Sequence, residues 1–308
     1  ECRAFAEHWI AVQSQEFKRL GVVGDFQRPY TTMAYESEAA IVREIGKFLI
    51  NGGLYAGHRP VLWSVVETTA LADAEVEYHD HRSTTVWIRF PVIHSGPQHP
   101  SLDGASVVIW TTTPWTLPGN RAIAYAESET YAVVRVTSTT GEKSLAQVGE
   151  RLIVGKALVE ALQASVNCTL EIEAEFPGSA LAGTVTRHPL RGQGYDYDVP
   201  LHAGAFVTMD AGTGFVHIAP GHGEDDWHLG QQHGIEVPHS VGGDGAFLAH
   251  VPLFAGHRVY DENGKEGTAN GAVIRAMAAA GALLAKGRLV HSYPHSWRSK
   301  APLIFRNT

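Results

Sequence analysis

Residues 107–125 have the sequence VVIWTTTPWTLPGNRAIAY. The apolar and β-branched start of this stretch predicts a buried strand. Pro114 cannot donate a hydrogen bond to a neighbouring strand, so we expect the strand to end near Thr113. Three adjacent hydroxyls at a strand end indicate side chains that point into a cleft. A threonine-rich strand that simply stops at a turn would have the same sequence, and this alternative stays open on the stretch alone.

The composition is that of a globular chain. Of 308 residues, 44% are hydrophobic and 18% are charged. Because single cores stop growing near about 250–300 residues, we expect more than one structural unit. No apolar run approaches the ~20 residues that cross a bilayer, and the first ten residues do not have the pattern of a signal peptide. These features predict a protein that is neither secreted nor bound to a membrane.

Cysteine content and net charge narrow the class of protein further. Cys2 and Cys168 are far apart and form no CxxC pair, so neither a disulfide framework nor a thiolate zinc site is indicated. A reducing cytoplasm fits this pattern best. The formal net charge of −8 argues against sequence-independent binding of nucleic acid, which needs a basic surface. A localised contact with RNA is compatible with it.

Helical patterns at both ends of the chain surround a β-rich middle. Apolar residues recur at helical spacing from Glu1 to about Gly53 and again in NGAVIRAMAAAGALLAKG, residues 270–287, which a loop-like segment, residues 291–302, follows. Beyond Thr84 the chain contains short runs rich in branched and aromatic residues, separated by Gly, Pro, Asp or Ser. We therefore predict an α+β fold: a β-rich, barrel-like domain with peripheral helices, flanked by helical stem segments from both termini.

A second stretch contains several side chains that could take part in catalysis or binding. It is DAGTGFVHIAPGHGEDDWHLG, residues 210–230. Asp226 lies near the start of a predicted short helix, where the helix dipole favours a carboxylate. A capping role for Asp225 or Asp226 is the alternative to a functional one. His217 lies in a strand-like run, where a single histidine is more often a structural residue.

A metal site is another interpretation of the same stretch. The side chains of His222, Glu224, Asp226 and His228 are of the kinds that bind zinc. They do not form an HExxH pattern, and no compact set of Cys and His accompanies them. We therefore predict no metal and no other cofactor.

Taken together, WTTTPWTLPGN, residues 110–120, and GTGFVHIAPGHGEDDW, residues 212–227, resemble the editing (CP1) domain inserted in the catalytic core of isoleucyl-tRNA synthetase, a class I enzyme. The flanks, residues 17–33, 60–78 and 293–308, resemble the same enzyme, so essentially the whole chain is covered. Related editing domains for valine and leucine usually read TTRP at the threonine stretch. The sequence TPWT of this chain, residues 113–116, favours isoleucine specificity.

The resemblance implies a division of the chain into three segments. Residues 1–80 are expected to form an N-terminal helical flank that leads from the synthetase core, residues 81–283 the editing domain, and residues 284–308 a C-terminal flank that returns to the core. Neither an HxGH-type nor a KMSKS-type sequence occurs, and the intact synthetase uses both to bind ATP. We therefore expect a fragment that cannot charge tRNA.

The implied activity is hydrolysis of valine from mischarged Val-tRNA(Ile). Isoleucine and valine differ by one methylene, which a single hydrophobic pocket discriminates weakly, and a second site that admits only the smaller product corrects the errors. The implied partners are the 3′ acceptor end of tRNA(Ile) carrying valine and the remainder of the synthetase core, with a monomer as the expected state. The alternatives are an acceptor-end binding module without turnover and a metal-dependent hydrolase.

The resemblance implies that Thr111, Thr112 and Thr113 line the editing pocket. Their hydroxyl and backbone groups are expected to contact the aminoacyl ester, the terminal adenosine and the attacking water. An ester is already activated, so a positioned water and stabilisation of the developing oxyanion suffice for hydrolysis. No Ser-His-Asp assembly is required.

Four further residues complete the implied site. Asp226 matches the aspartate that anchors the substrate α-ammonium through a charge-assisted hydrogen bond. His217 matches the pocket histidine that helps to set the size limit and can hydrogen-bond near the ester. Trp110 and Asn120 are implied as pocket walls, although Asn120 would serve equally well to hold the Pro-Gly-Asn turn.

Overall fold

The chain divides into two units, Glu1–Gly57 and His58–Thr308. The structure is a computed structural model, and it describes residues 1–99, 102–140 and 144–308. Two helices, α1 (Cys2–Arg19) and α2 (Tyr35–Ile50), make up most of the first unit. An ion pair joins Arg3 to Glu38 across the two helices at 2.6 Å.

Helices α1 and α2 confirm the helical spacing predicted for the N-terminal segment. Each is followed by a glycine with positive φ, Gly21 at +80° and Gly52 at +79°, a conformation that glycine adopts without strain. Neither helix contains a buried residue, so both carry exposed apolar side chains. These helices contribute little apolar burial to the described part of the chain.

The second unit is built on strands. In the part that the structure describes, its large sheet has ten strands in the order β11-β5-β10-β9-β3-β4-β7-β6-β8, with β12 paired to β3, and a smaller sheet has the order β13-β1-β2. The strands are β1 Pro60–Ser64, β2 Thr69–Ala70, β3 Val76–His94, β4 Ser106–Thr111, β5 Ala122–Tyr125, β6 Thr130–Thr139, β7 Arg151–Gly155, β8 Cys168–Pro177, β9 Val185–Arg187, β10 Asp198–Ala203, β11 Phe215–Ile218, β12 Leu283–Ser296 and β13 Ile304–Asn307.

Among the described residues of this unit, three α-helices accompany the strands: α3 (Val159–Val166), α4 (Glu224–His233) and α5 (Ala269–Ala279). Most strand pairs are antiparallel, but β4 pairs with β7 and β5 with β10 in parallel, so the large sheet is mixed. The predicted α+β class is therefore confirmed as a large mixed sheet with peripheral helices.

Strand β4 lies at the centre of the apolar packing. Val107 and Ile109 belong to the largest apolar cluster, whereas Val108, on the opposite face, belongs to a second cluster. All three side chains are fully buried. Because both faces of β4 are covered, its continuous apolar sequence is required, and the position of its C-terminal end at Thr111 is well defined.

The C-terminal segment differs from its prediction. Helix α5 ends at Ala279, and the apolar run that continues after Gly281 is strand β12 rather than more helix. Strand β12 also includes residues 291–296, which were expected to form a loop or a helical stem. The local sequence pattern gave a wrong prediction here because the conformation of β12 is determined by its pairing with a distant strand. It pairs antiparallel with β3 from Ser296↔Val76 to Leu283↔Ile88. Pro294 is tolerated because β12 is an edge strand.

The paired strands β3 and β12 also cross the expected segment limits. Strand β3 runs through the limit between residues 80 and 81, and β12 through the limit between residues 283 and 284. Together they form a long two-stranded ribbon that continues from the large sheet. The three-segment division stays a prediction from the resemblance.

Candidate functional site

The threonine stretch begins where β4 ends. Strand β4 stops at Thr111, two residues before the expected end, and a short 3-10 helix, Pro114–Gly119, follows. The Thr113 backbone N–H donates to Thr111 Oγ1 at 3.1 Å, and the hydroxyls of Thr111 and Thr113 are 3.1 Å apart. The Thr116 hydroxyl donates to the Thr113 carbonyl at 2.8 Å. The hydroxyls are therefore fixed by one another and by the turn.

His217 lies next to this turn although about a hundred residues separate it from the threonines in sequence. It is on β11, which pairs with β5, the strand that follows the turn. Its Nε2 is 2.9 Å from Thr116 Oγ1, and its Nδ1 is 2.7 Å from Asn120 Nδ2. Burial, followed by the nearby His188 and His222, lowers the pKa of His217 to about 3. The imidazole is therefore neutral at physiological pH.

Asn120 links the turn to both strands. Its Nδ2 donates to the Ala122 carbonyl at 2.9 Å as well as to His217 Nδ1. The side chain is fully buried, and its Oδ1 has no hydrogen-bond partner among the described residues. Asn120 therefore holds the Pro-Gly-Asn turn and orients His217 at the same time.

Trp110 lies one residue before the threonines and packs against two elements. Its ring is 6.3 Å from that of Trp87, its neighbour on β3, and is tilted by 50°. A Cβ at Gly212 would lie 3.3 Å from the Trp110 ring, and Gly212 has a φ of +81°, so both space and backbone favour glycine there. The indole Nε1 is buried without a described partner.

Asp226 lies in the first turn of α4, but it is not the N-cap, which is Gly223. Its Oδ2 accepts a hydrogen bond from the Ala219 backbone N–H at 2.8 Å. Burial raises the pKa of Asp226 to about 7, and the Ala219 N–H opposes this shift. The carboxyl is close against Gly223, where a Cβ would lie 2.9 Å from Asp226 Cγ.

The structure thus joins some of the predicted site residues directly and others only through the backbone. Thr111, Thr113, Asn120 and His217 form one hydrogen-bonded network, in which Thr116 takes part although the sequence reasoning did not select it. Asp226 has no described hydrogen bond to this network. It is connected through Ala219, which directly follows β11, the strand of His217.

A small cavity adjoins the threonines. Thr112 and Thr113 line one side, and the β3 and β12 ribbon contributes His81 and Tyr293. Helix α5 adds Asn270, whose Oδ1 accepts a hydrogen bond from the Trp115 N–H at 3.1 Å. The sequence did not indicate Asn270. It lies at the start of a predicted helix, and no neighbouring residue shows that this helix contacts the turn after Thr113.

The possible zinc ligands are engaged elsewhere. His222 Nδ1 is 3.0 Å from the Phe305 carbonyl, and its Nε2 is 2.7 Å from Ser240 Oγ, while Glu224 pairs with Arg59. Burial lowers the pKa of His222 to about 4. Within the part of the chain that the structure describes, no group of three potential ligands could hold a metal ion.

The His222 ring also contacts the turn. It meets Trp115 edge-on at 4.8 Å between ring centroids. Through Phe305, His222 connects β13 with the segment that follows the threonines. It therefore has a packing role that its resemblance to a metal ligand did not indicate.

Comparison with known proteins gives the class. The family described as class I tRNA synthetases (I, L, M and V) matches residues 1–298, and the chain belongs to this family. Among the relatives, an isoleucine–tRNA ligase from Bradyrhizobium diazoefficiens is 51% identical and one from Gluconobacter oxydans 50% identical. Both matches cover 100% of this chain and 32% of the relative, so the chain spans about a third of their length. The resemblance found in the sequence is confirmed.

Solved structures with some similarity are editing domains of leucyl-tRNA synthetases. The P. knowlesi cytosolic domain has a TM-score of 0.39 and 13% identity, over 51% of this chain and 66% of that one. The GlLeuRS-CP1 structure has a TM-score of 0.38 and 20% identity, over 50% and 66% of the two chains. None of the described helices is both long and apolar enough to cross a membrane.

Proposed function

We propose that this chain hydrolyses the ester of mischarged Val-tRNA(Ile), the editing reaction of an isoleucyl-tRNA synthetase. The observation that carries the proposal is the network at the end of β4, in which the threonine hydroxyls, Asn120 and a neutral His217 are fixed beside a cavity. About 50% identity to two isoleucine–tRNA ligases supports it.

The threonine hydroxyls suit the chemistry of an activated ester. Hydrolysis needs a water held close to the carbonyl carbon and donors near the developing oxyanion. Thr111, Thr112 and Thr113 are proposed to line the pocket with hydroxyl and backbone groups that contact the ester and the water. His217 does not serve as a general base, because its imidazole already accepts one hydrogen bond and is too buried to take a proton near pH 7.

Asp226 is the proposed partner of the substrate α-ammonium. A desolvated ammonium is costly to bury unless a carboxylate meets it. In the free protein burial raises the pKa of Asp226 to about 7, and an arriving ammonium lowers it again because it stabilises the charged form. Trp110 and Asn120 are proposed as neighbouring walls of the pocket.

The natural partner in this proposal is the 3′ acceptor end of tRNA(Ile) carrying valine, delivered by the rest of a synthetase core in the cytoplasm. The chain is proposed to act as a monomer. No metal takes part, so EDTA is expected to leave hydrolysis intact. A loss of activity in EDTA that zinc restores would instead favour a metallohydrolase.

The test is deacylation of tRNA(Ile) charged with valine or with isoleucine. We expect rapid loss of valine and retention of isoleucine. Binding of the charged tRNA without loss of valine would replace hydrolysis by an acceptor-end binding role. The His217→Ala variant tests the size limit separately: it is expected to begin removing isoleucine, and an unchanged valine-to-isoleucine ratio would contradict a role of His217 in excluding the larger side chain.

A further inference from the structure

The hydroxyl of Thr116 is the centre of the network beside the cavity. Its Oγ1 lies 2.8 Å from the Thr113 carbonyl oxygen, 2.9 Å from His217 Nε2 and 3.3 Å from Thr113 Oγ1. Thr116 itself is buried. A hydroxyl has one proton and two lone pairs, so these three contacts use its full capacity.

The direction of each hydrogen bond follows from the carbonyl. The Thr113 carbonyl can only accept, so the single proton of Thr116 is donated there. Thr116 must therefore accept from His217, which places the imidazole proton on Nε2. An independent contact gives the same tautomer, because Asn120 Nδ2 can only donate and faces His217 Nδ1 at 2.7 Å.

The same reasoning extends to the other threonines. Since Thr116 accepts, Thr113 donates its hydroxyl proton to Thr116. Thr111 must then donate to Thr113 Oγ1 across 3.1 Å, while Thr111 Oγ1 accepts from the Thr113 N–H. Thr113 Oγ1 is left with one unused lone pair. Thr113 is half-buried and lines the cavity, so this lone pair belongs to a side chain that a ligand can reach.

We propose that Thr116 is a positioning residue that polarises the hydroxyl network in one direction, so that Thr113 Oγ1 meets the hydrolytic water as an acceptor. This inference rests on the proposed editing function. A water that donates one proton to Thr113 Oγ1 turns its own lone pairs away from the protein and towards the ester.

The reaction then balances without a protein base. The water oxygen forms a bond to the ester carbonyl carbon, and the bond from that carbon to the ribose oxygen breaks. One water proton ends on the ribose oxygen, which leaves as a hydroxyl, and the other is released from the valine carboxylic acid to solvent. Thr113 orients the water and is chemically unchanged, and Thr116 fixes Thr113.

The first experiment determines the His217 tautomer in the wild-type chain by ¹⁵N-resolved NMR of its imidazole between pH 6 and 8. We expect a neutral ring with the proton on Nε2 and no titration in this range. A neutral ring with its proton on Nδ1 would reverse the direction of the network and overturn the inference. This measurement does not depend on whether the chain hydrolyses Val-tRNA(Ile).

The second experiment compares Thr116→Val, which keeps the shape but removes the hydroxyl, with Thr116→Ser, which retains it. We expect Thr116→Val to lower kcat for Val-tRNA(Ile) about 10- to 100-fold, with little change in KM, because water is misplaced and binding groups are intact. Thr116→Ser is expected to recover most of the rate. Melting temperatures establish that each variant is folded.

Thr186→Val is the matched control, since Thr186 is likewise buried and its hydroxyl donates to the Val199 carbonyl at 2.9 Å, away from the network. It should lose stability and keep its kcat. A Thr116→Val enzyme with wild-type kcat, or a Thr116→Ser enzyme as slow as Thr116→Val, would overturn the positioning role while the activity of the wild type upholds the editing function. A wild-type chain without hydrolysis would contradict the proposed function, and with it the role of Thr113 towards water.

Discussion

At the residue scale, Asp226 has two roles. It stabilises a loop through a hydrogen bond, and it is proposed to bind the charged ammonium of the substrate. One carboxylate oxygen accepts from the Ala219 N–H, which fixes the turn between β11 and α4. Burial raises the pKa of the same carboxyl to about 7, which means that the surroundings destabilise its ionised form in the free protein. An arriving ammonium would relieve that cost.

The raised pKa of Asp226 predicts how stability depends on pH. The folded carboxyl binds its proton more tightly than the unfolded one, whose pKa is 3.8. Its stabilising contribution is therefore complete below that value and is lost as the pH rises through about 7. Relative to Asp226→Asn, which does not titrate, we expect the wild type to lose about 1 kcal/mol or more between pH 5 and pH 8.

Urea unfolding of both proteins at the two pH values measures this difference. Asparagine keeps an acceptor for the Ala219 N–H, so the variant should remain folded throughout. Parallel changes in the free energy of unfolding would mean that the Asp226 carboxyl has an ordinary pKa in the folded chain.

The sequence indicated the kinds of side chain at the site but not how they are joined. Thr111 and His217 were associated through a family resemblance, because a strand pattern says nothing about which distant strand is its neighbour. Asn120 was assigned two alternative roles, and its hydrogen bond to the Ala122 carbonyl fits the role of holding the turn, while the role of a pocket wall stays a prediction. Thr116 was missed although it lies in the same motif, since its importance depends on the tautomer of His217.

At the element scale, the loop from β11 to α4 depends on Gly223. Its φ of −161° suits any residue, so backbone strain does not require glycine there. The available space does favour glycine, because a Cβ at this position would lie 2.9 Å from Asp226 Cγ and 3.1 Å from each carboxylate oxygen. An added methyl group would displace the end of a flexible side chain and little else.

Gly223→Ala is therefore expected to move the Asp226 carboxyl and to slow Val-tRNA(Ile) deacylation about tenfold or more, while the melting temperature changes little. Gly271→Ala is a suitable control, because its new methyl group would meet only the end of Arg275, at 3.2 Å. A wild-type rate in Gly223→Ala would show that the position of the carboxyl does not matter for hydrolysis.

The elements themselves were predictable to different degrees. Helices α1 and α2 followed from spacing and terminal glycines, and α5 from its alanine-rich run. Strand β12 was not foreseen, because residues 283–287 continue the composition of the helix and residues 291–296 contain a proline. Its conformation is determined by pairing along β3, a contact between segments about two hundred residues apart.

At the scale of the whole molecule, the apolar clusters lie entirely in the second unit. Each buried residue of the described clusters has a number between 65 and 304. Because α1 and α2 bury none of their side chains, removing residues 1–57 takes away little of the burial that stabilises the fold.

We therefore expect residues 58–308 alone to fold with the melting temperature of the full chain. Differential scanning calorimetry of both proteins makes the comparison, and a single transition at the same temperature is the expected result. A shortened protein that is insoluble or melts well below the full chain would mean that the first unit supports the second.

The central claim, that this chain hydrolyses Val-tRNA(Ile) at a site where Asp226 binds the α-ammonium, is tested most directly by single-turnover deacylation with Asp226→Asn and Asp225→Asn. Both variants replace a carboxyl group in the first turn of α4 by an amide, but Asp225 is exposed. We predict that Asp226→Asn slows the reaction about 100-fold, since hydrogen bonds to charged groups contribute about 1.5–3 kcal/mol, and that Asp225→Asn stays near the wild-type rate. Equal rates in the wild type and Asp226→Asn, or equal losses in both variants, would contradict the account.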